Sequence, residues 1–198
     1  MNIFFVHENP VIAAQSLVDR HCVKMILEST QLLSTAHRLL DGKQITINKY
    51  VNGSLPARWR KVKRWQLMDK REDILYQATH INHPSAIWAR TSVENYNWLL
   101  EHLFALITEY NYRYGKIHAC ARLKDMLRFP PTKIRISEFF APTPAMPGEL
   151  KVLAENPVPG RKYDSLKSYH KYYLTEKIRF AKWKNRNIPE WFKTNASI

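Results

Sequence analysis

The sequence predicts an all-α fold: a compact single-domain helical bundle over residues 1–198, with two long central helices, a basic insert and a proline-rich irregular segment. The first long helix is predicted over residues 17–40, a stretch that contains neither Gly nor Pro. The second is predicted over residues 92–114, where apolar side chains keep helical spacing and Gly115 follows. A chain of 198 residues, 45% of them hydrophobic, can bury a sizeable core in one domain.

The beginning of the chain is predicted to be ordered. Residues 2–6 are largely apolar and predict either a short extended segment or an N-terminus packed into the core. Asn9 can cap a helix that has Pro10 at its first position. This helix runs on into the first long helix, unless Ser16 or Asp19 caps a second helix start.

A basic insert over residues 43–70 follows the first long helix. It has a turn signal at Asn52-Gly53 and two tryptophans, Trp59 and Trp65, among closely spaced cations. These cations are Arg58, Arg60, Lys61, Lys63 and Arg64. Such a cluster can hold phosphates while its aromatic rings stack on bases. A solvated helix start with two buried tryptophans is the alternative that the sequence leaves open.

The rest of the chain is predicted to form helices around an irregular segment. Three shorter helices are expected over residues 71–78, from Pro84 onwards and over residues 116–127. Residues 129–159 hold 7 of the 11 prolines and are predicted to be mostly irregular. Asp164 is the candidate cap of a last helix that ends near Lys182.

The chain is strongly basic. It has 31 Lys and Arg against 17 Asp and Glu, which gives a formal net charge of +14. This imbalance favours nucleic acid as a partner and, second to it, an anionic membrane surface; a merely basic protein is the plain alternative. Two cysteines form no disulfide framework and no apolar run approaches a membrane span, which predicts a cytoplasmic protein, in the host cytoplasm if it is phage-encoded.

One face of the first long helix is polar. At about 100° per residue, a narrow strip carries His21, Lys24, Glu28, Gln31, Thr35 and Arg38. On a mostly covered helix this polar strip should face a cleft or be paired, so it is the candidate active site; a solvated outer face is the alternative. Lys24 and Glu28 are spaced to pair, either as a structural salt bridge or to keep the carboxylate ionised for catalysis.

Several chemistries have no support in the sequence. There is no Gly-rich phosphate loop, no GxSxG and no HExxH. A metal site could be built from His80, His83, His118 and Cys120, but no CxxC or carboxylate of fixed spacing completes it. No metal and no other cofactor is therefore predicted.

The stretch LVDRHCVKMILESTQLL resembles the first long helix of the phage pyrimidine dimer DNA glycosylases, also called DNA endonuclease V. In that family an Asp, a His two residues later and a catalytic Glu seven beyond the His have the order and spacing of Asp19, His21 and Glu28. WLLEHLFALITEYNYRYGK is similar to the family's second long helix, and SYHKYYLTEKIRF to its aromatic, basic C-terminus that touches DNA. Together the three stretches cover about a third of the chain.

The resemblance implies a helical single domain that excises a damaged pyrimidine. In the family the N-terminal amine attacks the sugar and forms an imine, and a Glu stabilises the reaction. The family's nucleophile is a Thr exposed by removal of the initiator Met. Here residue 2 is Asn2, too bulky for the usual removal, so Met1 is expected to supply the amine. Lys24 is expected to share the charge of Glu28, so that the amine can be neutral.

The expected partner is duplex DNA with a flipped base, and the protein is expected to be a monomer with no obligate protein partner. The expected DNA contacts are Gln31, Arg38, Arg58, Arg60, Lys63, Arg64, His83, Arg90, Lys171 and Lys177. His83 and Arg90 should flank the rim of the cleft. The leading hypothesis is a glycosylase, with or without abasic lyase activity. The alternatives are a phage enzyme that modifies a nucleobase or nucleotide without an imine, and a non-catalytic DNA-binding protein.

Overall fold

Two long helices form the centre of the fold. The computed structural model describes residues 1–51 and 58–196. Helix α2 (Asp19–Asp41) packs against α4 (Val93–Tyr114), and the short α1 (Pro10–Ser16) also packs on α4. The sequence left open whether one continuous helix or two helices follow Pro10, and the structure has two. The break between them arises because Leu17 and Val18 both have extended backbones, and both side chains are fully buried.

The helix ends follow local sequence rules. The Asn9 side chain accepts the N–H groups of Val11 and Ile12 at the start of α1. Ser92 caps α4, and Gly115 ends it in the left-handed conformation with φ 63°. The helix at Pro84 is also present, as α3 (Pro84–Ala89).

The all-α prediction is wrong. Helices account for 49% of the chain, and 15% lies in two small antiparallel two-stranded sheets, so the fold is mixed α and β. Strands β1 (Lys43–Val51) and β2 (Arg58–Gln66) pair over nine residues each. They occupy the basic insert, for which the sequence had left open the start of a helix. Strands β3 (Val152–Val158) and β4 (Arg161–Asp164) form the second sheet, inside the segment predicted to be mostly irregular. The predicted turn at residues 52–53 lies outside the described residues.

The expected helix over residues 71–78 is also absent and is replaced by turns. The backbone oxygens of Glu72, Leu75 and Tyr76 accept hydrogen bonds from the Arg38 guanidinium at 2.7–2.8 Å. A long-range side chain therefore takes the acceptors that a helix would use for itself. The shorter helix predicted over residues 116–127 is a 3₁₀ segment (Ala119–Leu123) followed by α5 (Lys124–Leu127).

The C-terminal part of the chain wraps around the central helices. After a 3₁₀ turn (Gly148–Leu150) and the second sheet, Asp164 caps α6 (Ser165–Tyr172) as predicted. One π-helical turn (Tyr173–Lys177) and one 3₁₀ turn (Ile178–Phe180) follow, and α7 (Glu190–Ala196) was not predicted.

Buried apolar side chains form one contiguous core that runs from Ile3 to Phe192 along the chain. The first residues belong to it, because Ile3, Phe4, Phe5 and Val6 are all buried. The first residues of the chain are therefore packed into this core, next to α2.

Among the described residues, no helix is both long enough and apolar enough to cross a bilayer.

Candidate active site at the beginning of the chain

The Glu28 carboxylate lies against the first residues of the chain. Its Oε2 accepts the backbone N–H of Asn2 at 2.8 Å, and the Lys24 ammonium lies 3.2 Å from its Oε1. The Glu28 side chain is only 13% exposed, whereas that of Lys24 is 66% exposed. A carboxylate that is nearly covered, neutralised on one side and next to the chain's first residues is therefore the centre of this site.

The Asn2 side chain fixes the position of the first residues. Its amide donates to the Ala145 carbonyl at 2.8 Å, and its Oδ1 accepts the Tyr169 hydroxyl at 2.6 Å. The same Oδ1 accepts the N–H groups of Ile3 and Phe4. Phe4 has φ 54°, a left-handed conformation that an aromatic residue rarely adopts and that persists only where its surroundings enforce it. The turn at the beginning of the chain is strongly determined.

His83 faces this cluster from the start of α3. Its Nδ1 accepts the Ser85 N–H at 3.2 Å, which caps the helix. The pKa of His83 is lowered, first by burial and then by the positive charges of the chain-start amine and His80, while Glu28 acts in the opposite direction. His83 is therefore a neutral imidazole at pH 7 that shares the electrostatic environment of the amine and of Glu28.

His21, a predicted catalytic residue, is a support of the site. Its ring stacks on Phe4 with centroids 4.0 Å apart, and its Nδ1 lies 2.6 Å from the Tyr173 hydroxyl. The pKa of His21 is lowered to about 3, mainly by burial and also by Lys177 and Lys24. A neutral, largely buried ring of this kind packs the first residues in place.

The polar strip of α2 is accessible only in its middle, because His21 at one end and Thr35 and Arg38 at the other are buried. Lys24, Glu28 and the half-buried Gln31 line this accessible part, and Gln31 has no hydrogen-bond partner among the described residues. Further along, Thr35 is buried and exchanges hydrogen bonds with the backbone of Thr79. The accessible part of the strip is therefore bounded by the chain start and by the segment that leads into α3.

Arg38 cannot serve as the predicted DNA contact. It is fully buried, and each of its five N–H donors is used within the protein. The acceptors are the Glu72 carboxylate and the backbone oxygens of Trp65, Glu72, Leu75 and Tyr76. Arg38 is therefore a structural residue that links α2 to the first sheet, through the Trp65 carbonyl at the end of β2.

Asp19 also has a structural environment. Its Oδ1 lies 3.0 Å from Arg113 Nη1 and accepts the Lys184 N–H at the same distance, and its own N–H donates to the Lys182 carbonyl. Arg113 in turn pairs with the buried Glu109. Asp19 precedes Glu28 by nine helical residues, about 13 Å along the axis. It therefore links the C-terminal segment to α2 and lies apart from the residues around Glu28.

The remaining predicted DNA contacts lie on several surfaces. Arg58, Arg60 and Lys63 are exposed on β2, where Arg64 is half-buried. Arg90 follows α3, and its Nη1 is buried with no hydrogen-bond partner among the described residues. The Lys171 ammonium donates to the Glu149 carbonyl, and that of Lys177 lies 4.2 Å from the centroid of the Tyr172 ring.

The possible metal ligands named from the sequence do not assemble. His118 Nδ1 accepts the Cys120 N–H, and the Cys120 sulfur lies 3.6 Å from the Tyr76 hydroxyl. Within residues 1–51 and 58–196, no group of three His, Cys, Asp or Glu side chains is arranged to hold a metal ion.

Sequence reasoning missed Asn2 as the side chain that positions the first residues, together with its partner Tyr169. The only local signal was a polar residue directly before an apolar run. Searches of protein-family models, curated proteins and solved structures with this chain found no match. The geometry around Glu28 and the charge of the chain are therefore the two features that bear on its function.

Proposed function

We propose that the protein is a DNA glycosylase with associated abasic lyase activity, which excises a damaged or modified pyrimidine from duplex DNA. The observation that carries the proposal is the 2.8 Å hydrogen bond from the Asn2 N–H to Glu28 Oε2. It holds Asn2, the residue after Met1, against a carboxylate that is only 13% exposed. The net charge of +14 supports DNA as the substrate.

In the proposed reaction the lone pair of the Met1 amine attacks C1′ of a sugar whose base is flipped out of the stack. The new bond joins nitrogen to C1′, the bond from C1′ to the base breaks, and the base leaves with the electron pair and takes up a proton. The Glu28 carboxylate stabilises the positive charge that develops on the sugar. The attached nitrogen loses one proton, the bond from C1′ to O4′ breaks and O4′ takes up a proton, which gives a protonated imine. Loss of a C2′ proton then expels the 3′ phosphate.

Cations around the carboxylate support the binding of a phosphate backbone. Lys24 pairs with Glu28 but keeps most of its surface in solvent. Lys177 is close enough to His21 to lower its pKa. A helix-borne Glu paired with an exposed lysine matches what an anionic substrate with a cationic transition state requires.

A second candidate is an enzyme that modifies a nucleobase or nucleotide without an imine. The neutral His83 favours it, because Nδ1 accepts the Ser85 N–H, so Nε2 carries a proton that can be donated to a substrate oriented by Glu28. In this reaction the Met1 amine takes no part in the chemistry. A non-catalytic DNA-binding protein requires neither group.

Incubation with a panel of duplexes carrying damaged or modified pyrimidines, with and without borohydride, tests the proposal. We expect base release and, with borohydride, a covalent adduct of protein and DNA. A few residues added before Met1 should abolish the adduct, whereas the same residues added after the C-terminus should not. If the N-terminally extended protein keeps full activity, the amine is not the nucleophile and the second candidate takes its place.

A further inference from the structure

The ribbon formed by β1 and β2, called here the basic ribbon, extends away from the core. Its strands pair over nine residues each without interruption, a length of about 27 Å. None of the ribbon side chains that the structure describes is buried. An isolated two-stranded sheet is marginally stable in water, so a ribbon this exposed needs a firm root.

The root is built from α2 and the segment after β2. Arg38 Nη1 donates to the Trp65 carbonyl at 3.0 Å, and Glu72 Oε2 accepts the Leu67 N–H at 2.7 Å. Gly42 joins α2 to β1, and a Cβ there would lie 2.4 Å from the Arg38 carbonyl oxygen and 3.2 Å from that of Gln66. The ribbon is therefore held rigidly at one end and exposed along the rest of its length.

The two faces of the basic ribbon differ. In the pairing register, one face carries Thr46, Asn48 and Tyr50 opposite Lys63, Lys61 and Trp59, and all six are exposed. We call this the free face. The opposite face carries Ile45, Ile47 and Val62, which are half-buried, and the two isoleucines line a cavity together with Glu72 of the body. The aliphatic part of this face is thus directed towards the protein, although the face also carries five cations, Lys43, Lys49, Arg58, Arg60 and Arg64. The free face carries two, Lys61 and Lys63, among polar and aromatic side chains.

The charge of the ribbon is uncompensated. Residues 43–66 contain seven Lys and Arg and no Asp or Glu. None of the ion pairs in the part of the chain that the structure describes includes one of these seven residues. On the free face Tyr50 and Trp59 contact edge to face, with centroids 5.5 Å apart, although Trp59 is 68% exposed. Large exposed aromatics among unpaired cations mark a surface that binds a partner.

We propose that the free face of the basic ribbon binds in the major groove of duplex DNA. A two-stranded antiparallel ribbon fits that groove, which is about 12 Å wide. Lys61 and Lys63 are about 6.8 Å apart along the strand, roughly two base-pair steps of about 3.4 Å each. Asn48 and Thr46 bring an amide and a hydroxyl to the base edges. The inference uses the proposed function only in taking duplex DNA as the partner.

An anionic membrane fits the ribbon less well. A ribbon that inserts into lipid would direct its aliphatic side chains outward. Here Ile45, Ile47 and Val62 are on the face directed towards the body. The apolar groups on the side of the free face are the aromatic rings of Tyr50, Trp59 and the half-buried Trp65. The distribution of side chains therefore favours a hydrated, charged groove.

A pair of double variants tests the proposal. Lys61→Thr with Lys63→Thr removes two charges from the free face, and Lys43→Thr with Lys49→Thr removes two from exposed positions on the opposite face. Threonine keeps a preference for strands. We expect the slope of log affinity against log salt to fall by about 2 for the free-face variant, about 0.9 for each lost phosphate contact. The control should change by less than half of that.

Methylation of bound DNA by dimethyl sulfate identifies the groove. We expect protection at guanine N7, which lies in the major groove, and none at adenine N3 in the minor groove. Equal loss in both double variants, protection at adenine N3 alone, or equally tight binding to phosphatidylglycerol vesicles would overturn the ribbon proposal. If the free-face variant binds DNA like the wild type, only the ribbon proposal fails. If the wild type does not bind DNA at all, the proposed function fails as well.

Discussion

Mild acid should destabilise this protein through three buried histidines. The pKa of His21 is lowered to about 3, that of His37 to about 4 and that of His102 to about 3, in each case mainly by burial. In the unfolded chain each returns to its ordinary value of 6.5. Between the two values only the unfolded chain binds the proton, so the free energy of unfolding falls as the pH falls below 6.5.

The magnitude follows from proton linkage. One pH unit below the unfolded pKa, at about pH 5.5, each histidine lowers the free energy of unfolding by about 1.4 kcal/mol. Three histidines together lower it by about 4 kcal/mol, a large share of the roughly 5–15 kcal/mol of an ordinary domain. The carboxyls of Asp41 and Asp69, whose pKa values are also lowered, add acid sensitivity only below about pH 4.

Urea unfolding at about pH 7.5 and about pH 5.5, followed by tryptophan fluorescence, measures this difference. The variant His102→Leu is the sharpest comparison, because neither ring nitrogen of His102 has a hydrogen-bond partner among the described residues. It should be at least as stable as the wild type at the higher pH and should lose about a third of the pH dependence. Equal unfolding free energies for the wild type at both pH values would refute the reasoning.

Three further changes test single contacts. Arg38→Met should lower the free energy of unfolding by about 3–5 kcal/mol, because it leaves the Glu72 carboxylate without its cation. Urea unfolding measures this loss, and a value below about 1 kcal/mol would contradict the prediction. Gly42→Ala should cost about 1–3 kcal/mol in the same assay, and unchanged stability would mean that the root of the basic ribbon is loosely packed. Asn2→Ala loses the hydrogen bonds to Ala145 and Tyr169, so it should reduce the rate of base release at least about tenfold without weakening DNA binding. Base release at the wild-type rate would contradict the positioning role of Asn2.

The parts of the fold that sequence reasoning predicted are those encoded locally. Helices α2 and α4 have apolar periodicity and recognisable ends, and the caps at Asn9, Ser92 and Asp164 need only neighbouring residues. The failures depend on distant contacts. The helix expected over residues 71–78 is replaced by turns because Arg38, more than thirty positions away, binds its carbonyls.

The basic ribbon is a different kind of failure. Its sequence has strand signals, since Ile45, Thr46, Ile47 and Val62 are β-branched, but seven cations in 24 residues obscure the alternation. At the candidate site, the order of residues on α2 identified Glu28 and Lys24. It could not show that Asn2 donates to Glu28, since that contact joins residues 26 positions apart.

The central claim is that the Glu28 carboxylate carries out chemistry on DNA. Base release in a single turnover by wild type and Glu28→Gln, with binding measured on the same duplex, tests it most directly. Glutamine can still accept the Asn2 N–H but carries no charge, and Glu101→Gln on the exposed face of α4 is the matched control. The account predicts a loss of at least about 100-fold for Glu28→Gln, with DNA affinity nearly unchanged and the control fully active. Base release by Glu28→Gln at the wild-type rate would contradict it.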